Sequence, residues 1–209
     1  MRTRERHPEW GWWCVATVTL VGGSWCLTQG GIPPSAQVQV LSVATTPRPV
    51  LRAFAPRSLP RLVQIPSLGV VAHVSPLGLQ PNGTVMVPKT VTGVGWYRYG
   101  PTPGQLGSSV LLGHVDSYRG PGVFIYLKRL RAGAAIYVGL ANGRTAVFRV
   151  RRVVRYAKDA FPDALIYTRV GPPELTLVTC GGQFDFSTRS YESNVVVFSD
   201  YRGLVTAAS

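Results

Sequence analysis

From about residue 60 onward, glycine and proline cut the chain into apolar runs of roughly four to eight residues, short for helices and well suited to strands. The chain holds 23 Gly and 17 Pro, is 45% hydrophobic and only 15% charged. A core can therefore be buried, but the balance disfavours a helical bundle. Arg61–Ile65 and Val70–Val74 read as strands broken at Pro66-Ser-Leu-Gly69. Gln80-Pro-Asn-Gly83 is a turn, and Thr84–Val87 reads as the strand after it. Ser108–Gly113 is an uninterrupted strand that enters His114, and Val123–Leu130 reads as one or two helical turns. Ala134–Val138 and Thr145–Tyr156 flank Asn142-Gly143, a strong hairpin signal. Leu175–Thr179 and Asn194–Ser199 complete seven or eight strands. Many short strands with little helix predict a closed or nearly closed β-barrel.

The N-terminus has a different character. Arg2, Arg4 and Arg6 precede an uncharged run from Trp10 to Leu27. A bilayer-spanning helix needs roughly 17–25 such residues, so this run is at the short end. Basic residues before it predict a cytoplasmic N-terminus, and Trp10, Trp12, Trp13 and Trp25 suit interfacial anchors. A cleaved signal peptide is the rival reading, with Ser35-Ala-Gln as the arguable site. Either reading exports the rest of the chain. The expected organisation is a basic cytoplasmic tail (1–9), a transmembrane anchor (10–28), a Pro-rich linker (29–60), a folded domain (61–203) and a short tail (204–209).

The net charge is +13. From Arg61 onward, 16 Lys and Arg stand against 7 Asp and Glu, a balance of +9. An exported basic domain is drawn to anionic wall polymers or lipid headgroups, and export removes nucleic acid as the expected partner. In Val147–Arg155 the basic residues partly alternate with apolar ones, which reads as the outer face of a half-exposed strand.

Cys180 is the one cysteine outside the apolar N-terminal run. An exported protein usually pairs its cysteines, so a lone thiol there is an intermolecular bridge, a buried apolar residue or a nucleophile. Three features favour the nucleophile. The apolar run Leu175–Thr179 ends at Cys180, and Gly181-Gly182 follow it. His114 ends a second apolar run and precedes Asp116, while Arg189 lies shortly after the cysteine. Acyl transfer by a thiol needs a thiolate, a proton donor for the leaving amine and a group that stabilises the oxyanion. Cys180, His114 and Arg189 are the candidates for these roles, with backbone N–H groups after Cys180 as further oxyanion donors. His73 lies in a strand and His7 in the basic tail. The acidic residues of the domain are scattered and there are three histidines in all, so no metal or other cofactor is expected.

Thr176-Leu-Val-Thr-Cys180 resembles the TLxTC signature of sortases, and Leu111-Leu-Gly-His114-Val-Asp-Ser117 resembles their catalytic histidine segment. Val94-Gly-Trp-Tyr97, Gly113–Ser117, Thr179-Cys-Gly-Gly182 and Tyr191–Val197 together resemble class F sortases of actinobacteria. The resemblance spans about residues 61–203. It implies an eight-stranded sortase β-barrel with short helices behind one N-terminal transmembrane helix. It also implies a single-pass membrane protein of a Gram-positive surface, with its catalytic domain outside the cell. Its expected substrates are surface proteins with an LPXTG-like sorting signal, cleaved through a Cys180 thioester and joined to a cell-wall amine. His114 would be the general acid and base. Sortases carry an arginine near the start of the strand after the cysteine loop. Here Glu192, Ser193 and Asn194 occupy those places, which leaves Arg189 as the candidate and Asn194 as a substitute hydrogen-bond donor. Two other readings use the same residues: a wall-binding scaffold without chemistry, and a cysteine hydrolase that passes the acyl group to water.

Overall fold

The structure is a computed structural model that describes residues 54–118 and 120–206. Eight strands close into a barrel, and two short ones form a separate ribbon. In chain order they are β1 (Pro60–Ile65), β2 (Val70–Leu77), β3 (Val94–Tyr97), β4 (Ser108–Gly113), β5 (Asp116–Ser117), β6 (Gly120–Pro121), β7 (Ala135–Leu140), β8 (Arg144–Ala157), β9 (Glu174–Asp185) and β10 (Ser190–Thr206). The barrel order is β1-β2-β3-β4-β9-β10-β8-β7, closed by β1 against β7. Closure removes the free edges that an open sheet of this size would expose. Most neighbours are antiparallel, but β2 with β3 and β4 with β9 run parallel.

Alternation along the strands sorts side chains between two apolar clusters. Leu111, Leu175, Leu177 and Val197 face the barrel interior with Val63, Ile65, Ile136 and Phe148. Phe124, Leu127 and Leu130, from the connection between β6 and β7, pack into the same cluster. On the outer face, Val110, Val178, Val196 and Phe198 form a second cluster with Ile166. Ile166 belongs to the single α-helix among the described residues, α1 (Asp163–Tyr167). The connection between β8 and β9 thus lies on the outside of β4, β9 and β10. Its aromatics help to hold it there: Tyr167 meets Tyr97 edge-on at 5.2 Å, and Phe161 meets Tyr156 at 6.3 Å. Burial, then Asp163 and Tyr97, push the Tyr167 hydroxyl up to about 12.

Most sequence expectations fall on observed elements, with four differences. Thr84–Val87 is not a barrel strand; only the isolated bridge between Leu79 and Val85 forms there. Barrel strand β3 comes instead from Val94–Tyr97, a segment too short to show a period. The expected helical turns at 123–130 reduce to one 3-10 turn at Leu127–Arg129. The segment 181–193, left between the expected strands Leu175–Thr179 and Asn194–Ser199, is mostly a hairpin: β9 and β10 continue until Asp185 faces Ser190. The basic stripe on β8 is an outer face tied into the fold. Arg149 bonds the Gly133 carbonyl, Arg151 pairs with Glu174 and Asp200, and Arg152 stacks over Phe198. Ala55 and Ser58, within the stretch read as linker, are buried against the barrel. The expected basic tail, membrane anchor and linker up to residue 53 lie outside the described residues, as do residues 207–209. Among the described residues no helix is long and apolar enough to cross a membrane.

Candidate active site

Cys180 belongs to the outward row of β9, after Thr176 and Val178. Beside it, β4 runs parallel with Val110 next to Thr176 and Leu112 next to Val178. One further step of two residues brings β4 to His114 and β9 to Cys180. The pleat gives both side chains the same face, and the parallel register gives them the same level. On the other flank of β9, Asn194 of β10 stands directly opposite Cys180, and Tyr156 of β8 stands opposite Asn194. His114 and Cys180 line one open cavity of about 640 Å³, together with Asp116, Lys158, Arg189 and Tyr191.

The imidazole is held from behind. His114 Nε2 lies 2.8 Å from the Pro88 carbonyl oxygen. A carbonyl only accepts, so Nε2 carries the proton and, in the neutral ring, Nδ1 is the free base. The His114 carbonyl accepts the Phe124 N–H at 2.9 Å, and the Val115 carbonyl accepts the Gly122 N–H at 2.9 Å. A Cβ at position 122 would stand 2.3 Å from the His114 carbonyl oxygen, so only glycine lets this chain press so closely.

Cys180 is the free cysteine among the described residues and is partly exposed. Burial pushes its thiol above the ordinary value; Lys158 pulls it back, and Asp116 adds to the rise. The neutral thiol therefore dominates at neutral pH, and nucleophilic attack requires help in forming the thiolate. Asp116 accepts a hydrogen bond from the Tyr191 hydroxyl, which joins β5 to β10 beside the cysteine. That bond, with burial and the charge of Asp116, pushes Tyr191 up to about 12. Asp116 and Tyr191 also border a second cavity of about 700 Å³ that reaches Cys180 from the Thr179, Gly182 and Ser193 side. Gly182 permits that approach with a φ of 85°.

The structure brings the three residues singled out in the sequence to one cavity, but in unequal positions. Cys180 lies on β9, and His114 immediately follows the adjacent strand β4. Arg189 is exposed in the turn between β9 and β10, with a left-handed φ of 51° that non-glycine residues rarely adopt. Asn194, the substitute donor, lines a neighbouring groove of about 710 Å³ with Tyr97, Leu112, Phe161, Tyr167 and Lys158. Sequence reasoning missed Lys158, Tyr191 and the Pro88 carbonyl. Lys158 had no local signal, because it approaches Cys180 only through strand register. Among the described residues no cluster of three or more His, Cys, Asp or Glu could hold a metal ion.

A family profile described as a sortase domain matches residues 63–201. The chain belongs to the sortase family. This sortase is similar in structure to sortase C-1 of Actinomyces oris, with a TM-score of 0.52 and 25% identity over 68% of this chain and 72% of that one. It is also similar to sortase A of Listeria monocytogenes, with a TM-score of 0.55 and 15% identity over 73% and 92% of the two chains. A Clostridium perfringens sortase D5 transpeptidase matches with a TM-score of 0.51 and 17% identity over 68% and 78%. No curated protein matches the chain. The eight-stranded closed barrel expected from the sequence is the fold of this family, and the sortase is a transpeptidase of that type.

Proposed function

We propose that this sortase is a membrane-anchored cysteine transpeptidase of the actinobacterial class F kind, acting outside the cell on an LPXTG-like sorting signal. The observation that carries the reading is the one cavity lined by both His114, just past the end of β4, and Cys180 on the neighbouring parallel strand β9. The groove along Tyr97, Leu112, Phe161 and Tyr167 offers apolar walls to the peptide and runs on the same face toward the cysteine row. Cys180 Sγ gives its proton to the free Nδ1 of His114 and, as thiolate, attacks the threonine carbonyl carbon. A C–S bond forms while the carbonyl electron pair moves onto oxygen. Collapse restores the carbonyl, breaks the C–N bond and leaves a thioester; the departing amine takes its proton from His114. A cell-wall amine then attacks the thioester, gives its proton to His114 and releases Cys180. Arg189 and Lys158 are the cations of the cavity available to the oxyanion.

The test is mass spectrometry of the full-length chain mixed with an LPXTG-type peptide and a small amine. An acyl adduct on Cys180 and a peptide–amine product are expected, and both disappear in Cys180→Ala. Cleavage by Cys180→Ala at the wild-type rate would overturn the proposal. Water as sole acceptor, with amine never incorporated, would identify a hydrolase. A folded protein with an accessible thiol and no product from sorting-signal peptides would favour a wall-binding scaffold.

A further inference from the structure

The strand register leaves this site without a cation on the strand facing the cysteine. The residue opposite Cys180 is Asn194, and its neighbours on β10 are Ser193 and Glu192. Arg189 lies beyond them in the hairpin turn, on an exposed and rarely populated backbone conformation. A different cation enters from the other side of β10. Tyr156, Asn194 and Cys180 stand in one row across β8, β10 and β9. Lys158 follows Tyr156 by two residues, where the chain leaves β8 for the connection that carries α1. Its Nζ donates to Ser190 Oγ at 2.5 Å, which ties this connection to the first residue of β10. Lys158 lines the cavity of Cys180 and His114, and it also lines the groove of Tyr97, Phe161 and Asn194. It is the one basic side chain shared by the two.

We propose that Lys158, rather than Arg189, is the working cation of this sortase, steadying the negative charge on Cys180 sulfur before attack and on the carbonyl oxygen after it. The proposal rests on the transpeptidase reading for its second half, the oxyanion, but not for its first. Among the charges that act on the thiol, Lys158 is the one that favours the thiolate, and it opposes Asp116. A flexible ammonium is also suited to the task. It can follow the charge over the short distance from sulfur to oxygen, whereas a guanidinium works best in a fixed planar fork. Lys158 acts as a positioning and electrostatic group for Cys180, and contact with the oxyanion would make it catalytic in the full sense.

The experiment separates the two halves. Iodoacetamide alkylation of Cys180 in the full-length chain is followed against pH by peptide mass spectrometry, which resolves it from Cys14 and Cys26. Lys158→Met is expected to move the alkylation midpoint to higher pH and to slow alkylation at pH 7 about three- to tenfold. Lys158→Gln keeps a donor for Ser190 but no charge, and should behave as Lys158→Met does. Lys158→Arg and Arg189→Gln should each stay within about twofold of wild type. Thermal melting of each variant checks the fold, which an exposed lysine leaves intact. With a sorting-signal peptide, Lys158→Gln should lower kcat more than it raises KM. Wild-type alkylation in both Lys158→Met and Lys158→Gln, or a larger loss in Arg189→Gln, overturns the proposal. Failure of every variant and of the wild type to cleave peptide overturns the transpeptidase reading, while the alkylation series still decides which cation serves the thiol.

Discussion

Strand β9 carries one ionisable group at its start, Glu174, and another further along, Cys180, and the two places are built differently. At its start, Glu174 is buried and ion-paired with two arginines. Arg151 donates to Oε1 at 2.6 Å, and Arg169 Nη1 lies 3.0 Å from Oε2 as an ion contact outside hydrogen-bond geometry. Arg151 also reaches Asp200 at 2.7 Å, and the pairing with Glu174 raises its own pKa further. Toward its end, Cys180 is partly open, with Lys158 and Asp116 pulling its thiol in opposite directions. A buried carboxylate must be paired or it destabilises the fold, so the first end closes on itself. A nucleophile must be reachable and poised, so the second end keeps its charges apart and its cavities open. One strand thus carries an ion pair that stabilises the fold at its start and the candidate nucleophile further along, separated by the apolar rungs Leu175, Leu177 and Val178.

The sharpest way to break this comparison is at the reactive end. Cys180→Ala is expected to cut sorting-signal cleavage by on the order of 10⁴-fold or more while the melting temperature stays close to wild type. A large loss of stability instead would mean that this end, too, is structural. At the other end, Arg151→Met should destabilise the domain by about 2 kcal/mol, below the figure for a fully buried pair because Arg151 is partly exposed and Arg169 remains. Denaturant unfolding measures it, and the pH midpoint of Cys180 alkylation should not move. Coupled changes in both would show that the ends are not independent.

Smaller effects test the balance around the thiol. Asp116→Asn removes the charge that opposes the thiolate, so Cys180 should alkylate severalfold faster at pH 7. The variant also relieves Tyr191, whose titration should fall from about 12 in an ultraviolet pH scan. Slower alkylation in Asp116→Asn would show that its bond to Tyr191 matters more than its charge. The smallest effect concerns the hairpin tip. Hydrogen bonds from Ser187, then Thr188, hold the Asp185 carboxyl down to about 2. A depressed carboxyl stabilises its turn above the ordinary carboxylate value and loses that contribution as pH falls through about 2. Amide exchange in 185–190 should therefore quicken between about pH 4 and pH 2 relative to Glu174–Val178. Uniform quickening along both segments would mean global acid unfolding instead.

Much of this sortase was legible from local pattern. The break at Pro66–Gly69, the Asn142-Gly143 turn and the apolar runs of β4 and β9 each encode their geometry within a few residues. The thiol and the imidazole were legible because each ends such a run. The 3.4 Å rise and two-residue alternation of a strand carry a sequence position directly into a face and a height. Less was legible where structure depends on a distant partner. Val94–Tyr97 is a strand because β2 and β4 flank it. The segment 181–193 is mostly hairpin because β9 and β10 pair far beyond their apolar cores.

The sequence by itself therefore determined the class of fold and singled out Cys180 and His114 as the candidate nucleophile and acid–base partner, since strand period and residue chemistry are local properties. Only the tertiary structure decided which groups surround them. The Pro88 carbonyl reaches His114 across 26 residues of sequence, and Tyr191 reaches Asp116 across 75. Lys158 arrives beside Cys180 through the register of three strands. No local signal marks such neighbours, because closing the barrel is what brings them together, and the electrostatics of a thiol depend on distance in space rather than along the chain.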